Sequence, residues 1–181
     1  MNNITIYSGP YDTEKQGFYF SNLEQYQQQA QRSTAEEFWF EWIDGGALLA
    51  NIFKFYQISQ VDLHTFFEVV NADYSTEQLL ALQYLAEWGH AATLAEGLEM
   101  LPNVQVQQCS LQDFVDEMIA ATFFDVFQSF REEPGKRHLD REDLFWRLLD
   151  AEKCQQVMLE FRPDVEAYEV DGRPYVVEMV E

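Results

Sequence analysis

The sequence predicts an α+β fold, laid out as three small units, α/β, then all-helical, then α/β. Three observations carry this expectation. Runs rich in β-branched and aromatic residues stand at both ends, within residues 4–43 and 164–179. Between them, from Ala47 to Met100, apolar residues recur three and four apart. Breaks at Gly45-Gly46 and near Asn103 separate the patterns, giving units 1–45 (a small ββαβ unit), 46–103 (helical) and 104–181 (α/β with a C-terminal hairpin).

In the first unit, Ile4-Thr5-Ile6-Tyr7 reads as a strand closed by the turn signal Ser8-Gly9-Pro10. After a loop to Gly17 comes the aromatic run Phe18-Tyr19-Phe20. Asn22 to Arg32 is glutamine-rich and helix-compatible, with Leu23, Tyr26 and Ala30 at helical spacing. Glu37 to Ile43 reads as a strand ended by Asp44-Gly45-Gly46. On such a strand Glu37, Trp39 and Glu41 share one face while Phe38, Phe40 and Trp42 share the other, which predicts an acidic outer face.

The middle unit reads as four helices. Ala47 to Tyr56 has a wide apolar face, and Asp62 is placed to cap a helix bearing Leu63, Phe66, Phe67 and Val70. Ser75-Thr76-Glu77-Gln78 fits a capping box ahead of Leu79 to Leu85, a helix that Gly89 can end. Ala91 to Met100 is the fourth, stopped by Pro102. In the last unit Val104 to Gln108 is a short strand. Ser110 caps a helix through Phe114, Val115 and Ile119, extending toward Phe130. Glu133 to Lys136 is a loop, and Asp140 caps a helix with Leu144, Phe145 and Leu148. Asp164 to Val170, the turn Asp171-Gly172 and Arg173 to Met179 form the strongest hairpin signal in the chain.

Charge sets the functional classes. Thirty-two acids face eleven Lys and Arg across 181 residues, a formal net charge of −21. Disordered acidic chains are poor in aromatic and β-branched residues, but this one is 47% hydrophobic and 15% aromatic, so it has a core to fold around. The excess runs through all three units, at net −5 for 1–45, −6 for 46–108 and −10 for 109–181, and does not sit in a tail. Such a surface is repelled by anionic lipid and by nucleic acid, so the partners it favours are basic protein surfaces. Self-repulsion at this charge opposes compaction, which points to a functional need for it. Cys109 and Cys154 form no disulfide framework, the N-terminus lacks the basic and apolar regions of a signal peptide, and no apolar run nears the ~20 residues of a bilayer span. The expectation is a cytoplasmic protein.

No catalytic motif is readable. His64, His90 and His138 lack metal-ligand spacing, and neither Cys has a neighbouring His. GxSxG, GxxxxGK[ST] and GxGxxG patterns are absent from the sequence. Asp140, Glu142 and Asp143 lie close together but lack the alternate oxygens and central Gly of a calcium loop, and Asp143 pairs at i,i+4 with Arg147. The expectation is a protein that is not an enzyme and takes no cofactor or metal. What remains is charge geometry. Duplex DNA carries one charge per ~1.7 Å of axis, so 21 charges match about 36 Å of duplex.

The order of segments resembles the ArdA antirestriction family. Ile6-Tyr7-Ser8-Gly9 through Gly17 and Phe18 is similar to the family's opening strand, Tyr-rich turn and glycine. Glu37 to Gly45 resembles its EF-F-D-EG strand. Asp113 to Glu117, His138 to Leu148 and the terminal hairpin resemble its ending. This chain departs in its short first unit, in Phe18-Tyr19-Phe20 standing where a Trp-containing strand is usual, and in Arg141 at a tyrosine position. The resemblance implies an elongated, homodimeric DNA mimic that binds no nucleic acid itself and occupies the DNA-binding groove of type I restriction–modification enzymes. The mimic surface expected here is Glu37, Glu41, Asp62, Glu68, Glu77, Glu87, Asp113, Asp116, Glu117, Asp140 and Asp143, with Phe123, Phe124 and Phe127 as dimer contacts. The alternatives are a DNA mimic aimed at a CRISPR effector or a nucleoid protein, and an acidic adaptor for one basic partner. A mimic spreads its binding energy over many carboxylates, whereas an adaptor concentrates it in a few.

Overall fold

The structure, a computed structural model, describes residues 4–119, 121, 162 and 164–180. The fold is α+β, with helices and two small three-stranded sheets. The chain divides into two compact units, Met1–Val104 and Gln105–Glu181.

The first unit opens with a sheet of order β2-β1-β3, built from β1 (Thr5–Pro10), β2 (Phe18–Phe20) and β3 (Phe38–Asp44). Both pairings are antiparallel. Here the structure corrects the sequence reading, because Ser8-Gly9-Pro10 does not turn the chain. It continues β1, with Ser8 opposite Phe40, Gly9 opposite Trp39 and Pro10 opposite Phe38. Gly9 belongs in the strand because Trp39 lies over it, and Pro10 is tolerated because β2 pairs with β1 only as far as Ser8, which leaves β1 an edge at Pro10. Helix α1 (Leu23–Arg32) packs against β2. Asn22 caps it by accepting a 2.9 Å hydrogen bond from the Gln25 amide.

Helices α2 (Ala47–Phe55), α3 (Leu63–Asn71), α4 (Thr76–Glu87) and α5 (Leu94–Met100) follow, with α2 on α4, α4 on α5 and α3 against both α1 and α5. The capping box at Ser75 and Gln78 is present, and α5 has one of its own at Thr93 and Glu96. That second box starts α5 three residues later than the Ala91 expected from the apolar pattern. Gly89, at φ +70°, terminates α4 as a left-handed cap, while the His90 amide reaches back to the Leu85 carbonyl. Asp62 stands before α3 but does not cap it. Its carboxylate instead accepts from the Ser59 amide and hydroxyl and holds the preceding turn.

One aromatic core joins this sheet to these helices. Phe20 meets Tyr26 and Phe67, and Trp42 meets Phe53 and Phe66 at 5.6 and 6.1 Å between ring centroids. The inner sheet face (Ile4, Ile6, Phe20 and Phe38) and the helical interior (Leu63, Leu80, Leu82 and Leu85) are buried. A polar strap reinforces the join, since the Gln60 side chain accepts from the Phe38 amide at 2.8 Å. The residues on either side of Gly45-Gly46 therefore share one interior.

The second unit carries a sheet of order β4-β6-β5, from β4 (Val104–Gln107), β5 (Val165–Val170) and β6 (Arg173–Met179). Residues 111–119 form helix α6, whose first turn is capped by the Ser110 hydroxyl accepting from the Asp113 amide. Phe114, Val115 and Ile119 pack with Val165 and Val176 as its core. The β5–β6 hairpin turns at Asp171 (φ 53°) and Gly172 (φ 73°), as the Asp-Gly signal predicts. The helix expected at Asp140, the loop at Glu133 to Lys136, Cys154 and His138 lie outside the described residues.

Candidate functional site

Alternation along β3 decides which side chains meet solvent. Phe38, Phe40 and Trp42 turn into the core, leaving Glu37, Trp39, Glu41 and Ile43 outside. Register then brings neighbours to them. Tyr7 lies between Tyr19 and Glu41, and Gly9 lies opposite Trp39. Pairing persists one step past β1, where the Tyr11 amide donates to the Glu37 carbonyl at 3.3 Å. The outer face is thus an aromatic surface edged by two carboxylates. Tyr7 sits 5.0 Å from Tyr19 and 5.5 Å from Trp39 between ring centroids.

Glycine makes this face possible. A Cβ at Gly9 would collide with the Trp39 indole, and one at Gly17 with the Tyr7 hydroxyl end. Without those side chains the two rings lie down across the sheet. Tyr7 is half-buried there, while Trp39 at 39%, Tyr19 at 59% and Tyr11 at 66% exposure remain open to solvent. No cationic side chain among the described residues lies over these rings; the cation–ring contact found is Lys54 over Phe55. The sequence shows the Glu37, Trp39, Glu41 face but not Tyr7, Tyr11 and Tyr19 beside it, although the period-two spacing of Tyr7, Gly9 and Tyr11 is its trace.

The other expected mimic carboxylates fall as follows. Glu68, Glu87, Asp113, Asp116 and Glu117 are exposed, whereas Asp62 and Glu77 are half-buried. Glu77 lies in the first turn of α4, where backbone and Ser75 hydrogen bonds hold its carboxyl below the usual range. Asp113 accepts from the Ser110 hydroxyl at 2.6 Å and Asp116 from Gln112 at 2.8 Å. Glu68 faces His64 at 3.6 Å. Asp140, Asp143, Phe123, Phe124 and Phe127 lie outside the described residues.

Chemistry has less to work with. Among the described residues no three His, Cys, Asp or Glu side chains gather as a metal site, and no helix is long and apolar enough to cross a membrane. Burial first, then Asp113 and Glu117, push the Cys109 thiol up, away from the thiolate a nucleophile needs. Open clefts do exist in the first unit. One of about 560 Å³ lies between β3 and α2, lined by Phe40, Trp42, Phe53 and Lys54. Another, of about 510 Å³, is lined by Lys15, Gly17 and Arg32, but Lys15 is already held by the Thr34 carbonyl and Asp12. Compared with protein-family models, curated proteins and solved structures, the chain matches none of them.

Proposed function

We propose that the protein is an antirestriction protein of the ArdA kind, an acidic DNA mimic that acts by binding. It occupies the basic DNA-binding groove of a type I restriction–modification enzyme and blocks DNA from entering. The observation that carries this reading is where the acids sit. Glu37, Glu41, Glu68, Glu87, Asp113, Asp116 and Glu117 are all exposed and are spread over strand and helix. Glu37, Glu41 and Glu117 meet no cationic side chain among the described residues, so their charge is free for a partner. In this reading the segments 1–45, 46–103 and 104–181 form an elongated, cytoplasmic homodimer with carboxylates along one face.

The test is inhibition of purified type I restriction–modification complexes in competition with a cognate duplex. Inhibition is expected near equimolar protein at low salt, weakening at least about tenfold by 0.3 M salt, since groove contacts of this kind are screened. Small-angle scattering should report an extended dimer. Absence of inhibition at low salt across several type I families defeats the reading, and so does a compact monomer.

A further inference from the structure

We propose that the outer face of the β2-β1-β3 sheet is an arginine-reading platform, on which arginine side chains of a basic protein partner stack on Trp39, Tyr7 and Tyr19 while Glu37 and Glu41 take their charge. The inference deepens the proposed function and rests on it for the partner being a protein with a basic groove. Phosphate mimicry needs only carboxylates. It does not account for three exposed aromatic side chains, Tyr11, Tyr19 and Trp39, beside a half-buried Tyr7 on one sheet face, or for two glycines that let the Tyr7 and Trp39 rings lie across it. Burying rings would have served stability; here Tyr11, Tyr19 and Trp39 are held open.

Charge selects the occupant. Glu41 stands next to Tyr7 across the pairing, and Glu37 next to Tyr11. A cation arriving over these rings meets their negative faces and a carboxylate together, which favours the guanidinium. Arginine is planar, weakly hydrated and forked, so one group can stack on a ring and bridge to a carboxylate. Lysine is a compact, strongly hydrated charge and gains less from the same surface. An acidic or neutral apolar partner would have to bury Glu37 and Glu41 unpaired, at a cost that works against it. Within the chain no described cation already fills the place.

The experiment compares a nona-arginine and a nona-lysine peptide of equal charge, each titrated against the full-length protein at 0.15 M salt. Wild type is expected to bind the arginine peptide about fivefold tighter, the size of an exposed cation–π preference. Trp39→Leu should bring the two peptides to equal affinity, while Glu37→Gln with Glu41→Gln should weaken both. If Trp39→Leu loses its circular-dichroism signature of folding, Tyr19→Ser at the exposed edge gives the same readout. Equal binding of both peptides by wild type overturns the proposal, as does selectivity that survives in folded Trp39→Leu or Tyr19→Ser. A wild-type dimer that Trp39→Leu turns into a monomer also overturns it, since the face would then be covered by a second copy. A protein that prefers arginine yet inhibits no restriction enzyme keeps the platform and loses the function. An inhibitor without the preference does the reverse.

Discussion

At the scale of single residues, the interior of the first unit turns on one hydroxyl. Tyr56 follows α2 and donates to the Leu82 carbonyl of α4 at 3.1 Å. Its hydroxyl also lies where a Cβ of Gly97 on α5 would stand, so Gly97 is the residue that lets α5 close on it. Burial, then Glu96, pushes the Tyr56 hydroxyl up to about 12. A raised folded value means the neutral form is the one the fold prefers. The stability it contributes is complete below the ordinary value of 10.0 and is lost as pH rises from there through about 12. Absorbance titration of tyrosinate should therefore show late titration, with one late group lost in Tyr56→Phe while Tyr26, also raised by burial, stays. Gly97→Ala should destabilise the protein by about 2 kcal/mol through overpacking. A double-mutant cycle with Tyr56→Phe should recover part of that loss, because removing the hydroxyl opens space for the methyl. Additive effects in thermal melts would show that the two residues do not meet.

At the scale of elements, local chemistry made some parts of the structure readable in advance and left others hidden. The Ser75 capping box, Gly89 at the end of α4 and the Asp171-Gly172 turn were legible because each is set by a few consecutive residues. The hairpin gives a direct check. Gly172 at φ 73° suits no side chain well, so Gly172→Val should weaken the β5–β6 pairing by about 1–2 kcal/mol. Amide exchange at Val176 and Val177 should then quicken about tenfold, with α4 amides unchanged. Equal slowing or quickening everywhere would mean that the hairpin is not the local unit it looks like. The Ser8-Gly9-Pro10 stretch shows the opposite case. By composition it is a turn, but its conformation is decided by Trp39 on a strand some thirty positions on, lying over Gly9. Likewise Asp62 has a capping residue's identity and position, yet Ser59 captures its carboxylate first. The candidate site was half readable for the same reason. Alternation within β3 is local, whereas the arrival of Tyr7 and Tyr19 beside it depends on sheet register.

At the scale of the whole molecule, a charge of −21 acts on two equilibria in opposite directions. Folding gathers the carboxylates of one chain together, and their repulsion opposes it. The proposed binding to a basic groove would set the same carboxylates against positive charge, and their attraction would drive it. Salt screens both, with a Debye length that falls from about 10 Å at 0.1 M to about 3 Å at 1 M. Raising salt should therefore stabilise the free protein while weakening the inhibition proposed for it. A gain of about 1 kcal/mol would lift the melting temperature of a chain this size by roughly 2–4 °C. The buried aromatic core means that the chain should still melt cooperatively in salt-free buffer. A chain that folds only when salt is added would instead mark the acidity as an adaptation to brine. If both slopes are measured on the same preparation and carry opposite signs, the acids serve the complex at the expense of the fold, which is what selection for a charged ligand, and not for stability, would leave behind.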